Sequence, residues 1–222
     1  MDSSIGRTLC TSARRRAGAA MVAVMFIGLD VLLVALEAGD LLRLCGGVLA
    51  LGSLGYLAGW DRPTLGWRVK AVQGGRYWVK AALLMGGIIV VAALVAAGVY
   101  LAVVSHPRPL SDFRLFQEPS QFWRWGLHAC LVAPVIEELI YRFTLCTAAA
   151  AVARPWVVIA ASGVAFAGLH VLYGNPGVDN CLAGLLLGWA YLKSGSLLVP
   201  ILLHSAGNLA VGVIHVVMCY LP

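Results

Sequence analysis

Ala133-Pro134-Val135-Ile136-Glu137-Glu138-Leu139-Ile140-Tyr141-Arg142 puts two adjacent carboxylates and a guanidinium inside an otherwise apolar run. Whether that run lies in water or in lipid decides the fold. Of 222 residues, 61% are hydrophobic and 12% are charged, and the mean hydropathy is +0.88. A soluble domain carries about twice that charged fraction. Apolar stretches edged by basic and aromatic residues therefore read as membrane-spanning helices. Seven are expected, over about 17–37, 41–60, 80–104, 125–150, 155–173, 178–193 and 195–219, with an eighth if one segment splits. The fold class that follows is all-α, a polytopic transmembrane helical bundle.

On a helix, Glu138 and Arg142 are four residues apart and share a face, with the acid on the favoured N-terminal side. Glu137 is turned about 100° away, so one arginine does not readily neutralise both acids. Each charge at a bilayer centre costs roughly 2.5–3.5 kcal/mol on insertion scales, so three together require a protein-lined polar cavity. Pro134 removes one backbone hydrogen bond just upstream, which favours a kink or a widened turn. Taken alone, the stretch is either an ion-pair knot that holds the bundle together or part of a working site.

Other polar residues bear on that choice. His170 ends the fifth apolar segment in Phe166-Ala167-Gly168-Leu169-His170. His204 and Asn208 lie one turn apart in the last, within His204-Ser205-Ala206-Gly207-Asn208. Polar groups in three separate apolar segments must turn inward or face lipid. A carboxylate that can take a proton from water, with imidazole and amide N–H groups that can hold an oxyanion, is the equipment of a hydrolase. Asp30, Glu37 and Asp40, in or near the first loop, are assigned to packing or to the interface, and His106, His128 and His215 to the interface or a cavity wall, outside the catalytic set.

The net charge of +6 comes from clusters at the ends of apolar runs, such as Arg14-Arg15-Arg16 and the series Arg62, Arg68, Lys70, Arg76 and Lys80. This is the positive-inside pattern, and it leaves no basic patch for nucleic acid. It places the N-terminus, the 61–79 loop, Arg154 and Lys193 in the cytoplasm. The six cysteines are scattered, without metal or disulfide spacing. The first apolar run is too long for a signal peptide and reads as an uncleaved span. Gly55-xxx-Gly59 and Gly184-xxx-Gly188 match the spacing of close helix contacts.

Three motifs in order, E-E-x-x-x-R at 137–142, F-x-x-x-H at 166–170 and H-x-x-x-N at 204–208, resemble the CAAX protease and bacteriocin-processing (CPBP, or Abi) family of intramembrane endopeptidases. The resemblance covers about residues 124–210, and Pro63-Thr64-Leu65-Gly66-Trp67 is similar to an element that precedes the core in that family. It implies that Glu137 activates water, that Glu138 and Arg142 support it, and that His170 positions the water. His204 and Asn208 would hold the oxyanion. With the hydropathy and charge pattern it divides the chain into three parts: a cytoplasmic tail over 1–16, N-terminal membrane helices and loops over 17–123 and a catalytic helical core over 124–222.

The family carries both a metal-dependent and a metal-free proposal. Glu137, His170 and His204 would be the ligands of a zinc, three protein groups plus water. The chain has no H-E-x-x-H, and Asn208 is a poor zinc ligand but a good oxyanion donor, so the metal-free form is expected, with no cofactor. The expected activity is endoproteolysis near the C-terminus of a membrane-anchored or lipidated protein or peptide, in a prokaryotic plasma membrane. Two other classes share these residues: a non-catalytic scaffold or immunity protein of the same fold, and an ion or proton pathway.

Overall fold

The computed structural model describes residues 4–104 and 116–220, and its regular structure is helical. Seven long helices occupy the seven expected regions: α1 (Ala13–Ala35), α2 (Asp40–Ala58), α3 (Gly75–Val103), α4 (121–150), α5 (Pro155–Leu172), α6 (Val178–Ser194) and α7 (Leu198–Met218). Among the described residues, the one pairing of β type is an isolated bridge between Trp67 and Ser196. Among the described residues, four helices, α1, α2, α5 and α7, are long and apolar enough to cross a membrane. That is fewer than the seven or eight spans expected from the sequence. One reason is local: α6 is 17 residues long and carries Asp179 and Lys193. His106 lies outside the described residues.

The chain divides into two compact units. One comprises residues 1–74 and 133–202, the other 75–132 and 203–222. The divisions at 132/133 and 202/203 fall inside α4 and α7.

The first unit holds the larger core. Val22, Ala23 and Phe26 of α1 meet Ala50, Leu54 and Ala58 of α2, with Leu139 and Phe143 of α4 between them. Small residues let these helices approach closely, which is how membrane helices gain packing energy without a hydrophobic difference from lipid. Gly47 shows the same economy: a Cβ there would stand 2.7 Å from Leu139 Cδ2. Residues N-terminal to α1 are docked against this unit. Ile5 and Leu9 are buried, Gly6 N–H donates to the Thr64 carbonyl at 3.1 Å, and the Cys10 thiol donates to the Ala150 carbonyl at 3.8 Å. Leu197 N–H donates to the Gly66 carbonyl at 2.9 Å, and Val72 N–H to the Ser194 carbonyl at 3.1 Å. The N-terminal segment, the 59–74 loop, the end of α4 and the α6–α7 turn are thus gathered at one end of the unit.

The two glycine pairs behave differently. On α6, a Cβ at Gly184 would meet the Gly163 Cα of α5 at 2.9 Å, and one at Gly188 would meet Ser162 Cβ at 3.3 Å, so this pair does seat two helices together. Gly59 instead caps α2 in the left-handed region, with φ 62°, and Gly55 makes room for the Trp60 ring. The spacing is shared, but the second pair closes a helix end.

In the second unit, Phe116, Phe122 and Trp125 pack edge to face or tilted, with ring centroids 5.5–6.3 Å apart, and His215 of α7 lies 6.3 Å from Phe116. A Cβ at Gly212 would stand 2.4 Å from the Trp125 ring, so this glycine is the socket for that indole.

Candidate active site

The site residues of α4 sit on an irregular helix. It is α-helical over Gln121–Leu127, π-helical over His128–Val132, α-helical over Ala133–Glu137 and π-helical again over Glu138–Cys146. Widened turns accommodate Pro134, which supplies no N–H to the turn before it. Side chains reinforce the second widened stretch: the Thr144 hydroxyl donates to the Leu139 carbonyl at 3.0 Å and the Cys146 thiol to the Tyr141 carbonyl at 3.4 Å, both five residues back.

Glu138 and Arg142 are fully buried and form an ion pair, Nε to Oε2, at 3.1 Å. The guanidinium also donates from Nη2 to the Gly184 carbonyl at 3.4 Å and lies over the Phe166 ring, 4.4 Å from its centroid. One side chain therefore ties α4 to both α5 and α6. The close seat of Gly184 on α5 is what brings its carbonyl into reach. Glu137 is also buried, at 4% exposure.

Sequence reasoning missed the surroundings of Glu137. Asp30, which the sequence suggests is a packing or interface residue, is buried in α1 and forms a two-pronged pair with Arg43 of α2. Arg43 Nε donates to Oδ1 at 2.7 Å and Nη2 to Oδ2 at 3.3 Å. The Tyr141 hydroxyl, one turn beyond Glu137, donates to Asp30 Oδ2 at 3.1 Å. Arg43 Nη1 donates to the hydroxyl of Tyr173, just past the end of α5. The Glu137 carboxylate is within electrostatic range of Arg43, Tyr141 and Tyr173. Asp30 could be flagged from sequence as a charge well inside the first span; its partner, on another helix, could not.

His170 is half-buried, with its ring 4.5 Å from Phe166 and 5.7 Å from Tyr173, centroid to centroid. Its Nδ1 is 3.0 Å from the Phe166 carbonyl. A carbonyl only accepts, so Nδ1 carries the proton, and in the neutral ring Nε2 keeps a lone pair for water. The first unit thus collects Glu137, Glu138, Arg142 and His170, together with Asp30, Arg43, Tyr141 and Tyr173.

His204 and Asn208 belong to the second unit and follow one another by one turn of α7. His204 is buried and Asn208 half-buried. Asn208 Nδ2 donates to the Ala129 carbonyl at 2.6 Å, in the widened stretch of α4. This fixes which way the amide points and leaves its second N–H for another acceptor. Among the described residues, no three His, Cys, Asp or Glu side chains group closely enough to hold a metal ion.

Residues 119–210, less than half of the chain, match the family model described as type II CAAX prenyl endopeptidase Rce1-like. The match contains all seven of the motif residues and excludes Asp30 and Arg43. No curated protein and no solved structure matches the chain.

Proposed function

We propose, from the Rce1-like match over residues 119–210, that the chain is a CAAX-type membrane protease, a metal-free endopeptidase that uses Glu137 to activate water. Supporting this is the placing of two adjacent buried acids: Glu138 is paired with Arg142 at 3.1 Å, and Glu137 is buried beside it, within electrostatic range of Arg43, Tyr141 and Tyr173. In the proposed reaction the Glu137 carboxylate takes a proton from water as the oxygen attacks the scissile carbonyl. The Nε2 lone pair of His170 accepts a hydrogen bond from the same water and orients it. His204 and the second N–H of Asn208 donate to the oxyanion. Collapse of the tetrahedral intermediate breaks the C–N bond, and Glu137 returns its proton to the departing amine.

The substrate we propose is a membrane-anchored protein cut near its C-terminus, with a prenyl group as the anchor named by the family description. Residues 124–222 would form the catalytic core, fed by the helices of 17–123. We further propose seven spans in a prokaryotic plasma membrane, with the arginine-rich end cytoplasmic. Gathering of the N-terminal segment, the 59–74 loop and the α6–α7 turn at one end of the first unit supports that orientation.

Glu137→Gln keeps the shape and removes the base. Assayed on a prenylated C-terminal peptide in lipid nanodiscs, it should lower kcat by about a hundredfold or more at an unchanged unfolding temperature. Turnover equal to the wild type would reject the assignment. A chelator should leave the wild-type rate unaltered, whereas reversible silencing with recovery on adding zinc would overturn the metal-free mechanism.

A further inference from the structure

We infer that Arg43 is a positioning residue that sets the Glu137-bearing turn of α4 against the His170-bearing end of α5. The inference rests on the catalytic reading of Glu137 and His170 and adds residues outside the segment that the family model matches.

The geometry is a closed relay through one guanidinium. Its Nε and Nη2 are held by Asp30 of α1, and Asp30 in turn accepts the hydroxyl of Tyr141, one turn past Glu137. Its remaining arm, Nη1, holds the hydroxyl of Tyr173, whose ring packs against His170. Because Tyr173 accepts from Arg43, its own proton is left to donate, with the Glu137 carboxylate within electrostatic range. Asp30 is 2% exposed and Arg43 5%, so this is a desolvated pair and not a surface one.

A buried pair can be a plain fastener between α1 and α2. Three features assign it more. A fastener needs only the Asp30–Arg43 bonds, yet the third arm of the guanidinium is spent on α5. The anion is likewise shared with α4 rather than reserved for the cation. The cation also lies within electrostatic range of Glu137, where a positive charge favours the ionised form of a buried carboxylate. A planar fork is required for this three-way arrangement, and a lysine ammonium cannot reproduce it.

The test compares the wild type with Arg43→Lys, Tyr173→Phe and the charge-exchanged pair Asp30→Arg with Arg43→Asp, each in lipid nanodiscs. The exchanged pair restores an ion pair between α1 and α2 but removes the cation from Tyr173 and Glu137. The expected result is an unfolding temperature close to the wild type with kcat on a prenylated peptide still reduced tenfold or more and KM little changed. Recovery of both stability and kcat would show a fastener only and overturn the inference. Hydrogen–deuterium exchange over residues 166–177 is a readout that needs no substrate. Arg43→Lys and Tyr173→Phe should each speed exchange there severalfold, and unchanged exchange in both would equally overturn it. Glu137→Gln run alongside separates the two ideas: if it retains turnover, the catalytic reading fails, while the exchange data still decide the role of Arg43.

Discussion

At the scale of single residues, the energetics centre on charges that have no water. Arg142 has one carboxylate, one carbonyl and one aromatic face around it. Arg142→Ala would remove the buried cation paired with Glu138, which should cost about 3–5 kcal/mol and appear as a large drop in unfolding temperature or in recovered folded protein. A variant as stable as the wild type would mean that Glu138 has another source of compensation. The Glu138–Arg142 pair was legible in the sequence because its rule is local, four residues along one helix. The Asp30–Arg43 pair was not. Its members are 13 residues apart across a turn, and nothing in either segment names the other. Tyr141 was in plain view inside the quoted stretch, but nothing local gives its hydroxyl a partner. Its hydroxyl matters only because α1 places an acid beside it.

At the scale of elements, α4 and the α5–α6 pair carry the site. The sequence anticipates a kink or widening at Pro134, and α4 shows two π-helical stretches on either side of Ala133–Glu137. Periodicity at 100° per residue is therefore a poor guide to facing within 128–146, which is why the surroundings of Glu137 were not predictable from a helical wheel. The α5–α6 seam is simpler. Gly184 touches Gly163 backbone, and its carbonyl receives Arg142. Gly184→Ala should push the two helices apart and destabilise the protein by about 1–3 kcal/mol, measured by thermal unfolding, with Gly59→Ala as a contrast that strains a left-handed cap without touching a helix seam. Equal tolerance of alanine and glycine at 184 would show that the seam relaxes freely.

At the scale of the molecule, the all-helical fold and the approximate limits of the long helices among the described residues followed from hydropathy, because a chain in lipid must satisfy its backbone within helices. What hydropathy could not supply was the docking of the N-terminal segment, which looked like a tail. Its anchors are short polar contacts: the Thr8 hydroxyl donates to Asp61 Oδ2 at 3.0 Å, and Thr8 N–H donates to Thr64 Oγ1 at 3.1 Å. Hydrogen bonds from Thr64, then Thr8, hold the Asp61 carboxyl below the usual Asp range despite its partial burial. A depressed folded value means that this contribution is complete above the unfolded Asp pKa of about 3.9 and is lost as pH falls through the lower folded value. Amide exchange over residues 4–12, corrected for its intrinsic rate, should therefore rise on acidification below that range. Asp61→Asn should show the faster exchange already at neutral pH, and a flat profile in the wild type would reject the anchor.

The discontinuous first unit also constrains how the protein is made. Its opening half, residues 1–74, leaves the ribosome well before its closing half, and the whole of 75–132 must be synthesised in between. Until α4 arrives, Leu9 and Phe26 lack their partners Phe143 and Ala148, and Asp30 has Arg43 but not Tyr141. Nascent chains stalled anywhere before about residue 150 are thus half-assembled membrane intermediates, open to capture by insertion chaperones or quality-control proteases.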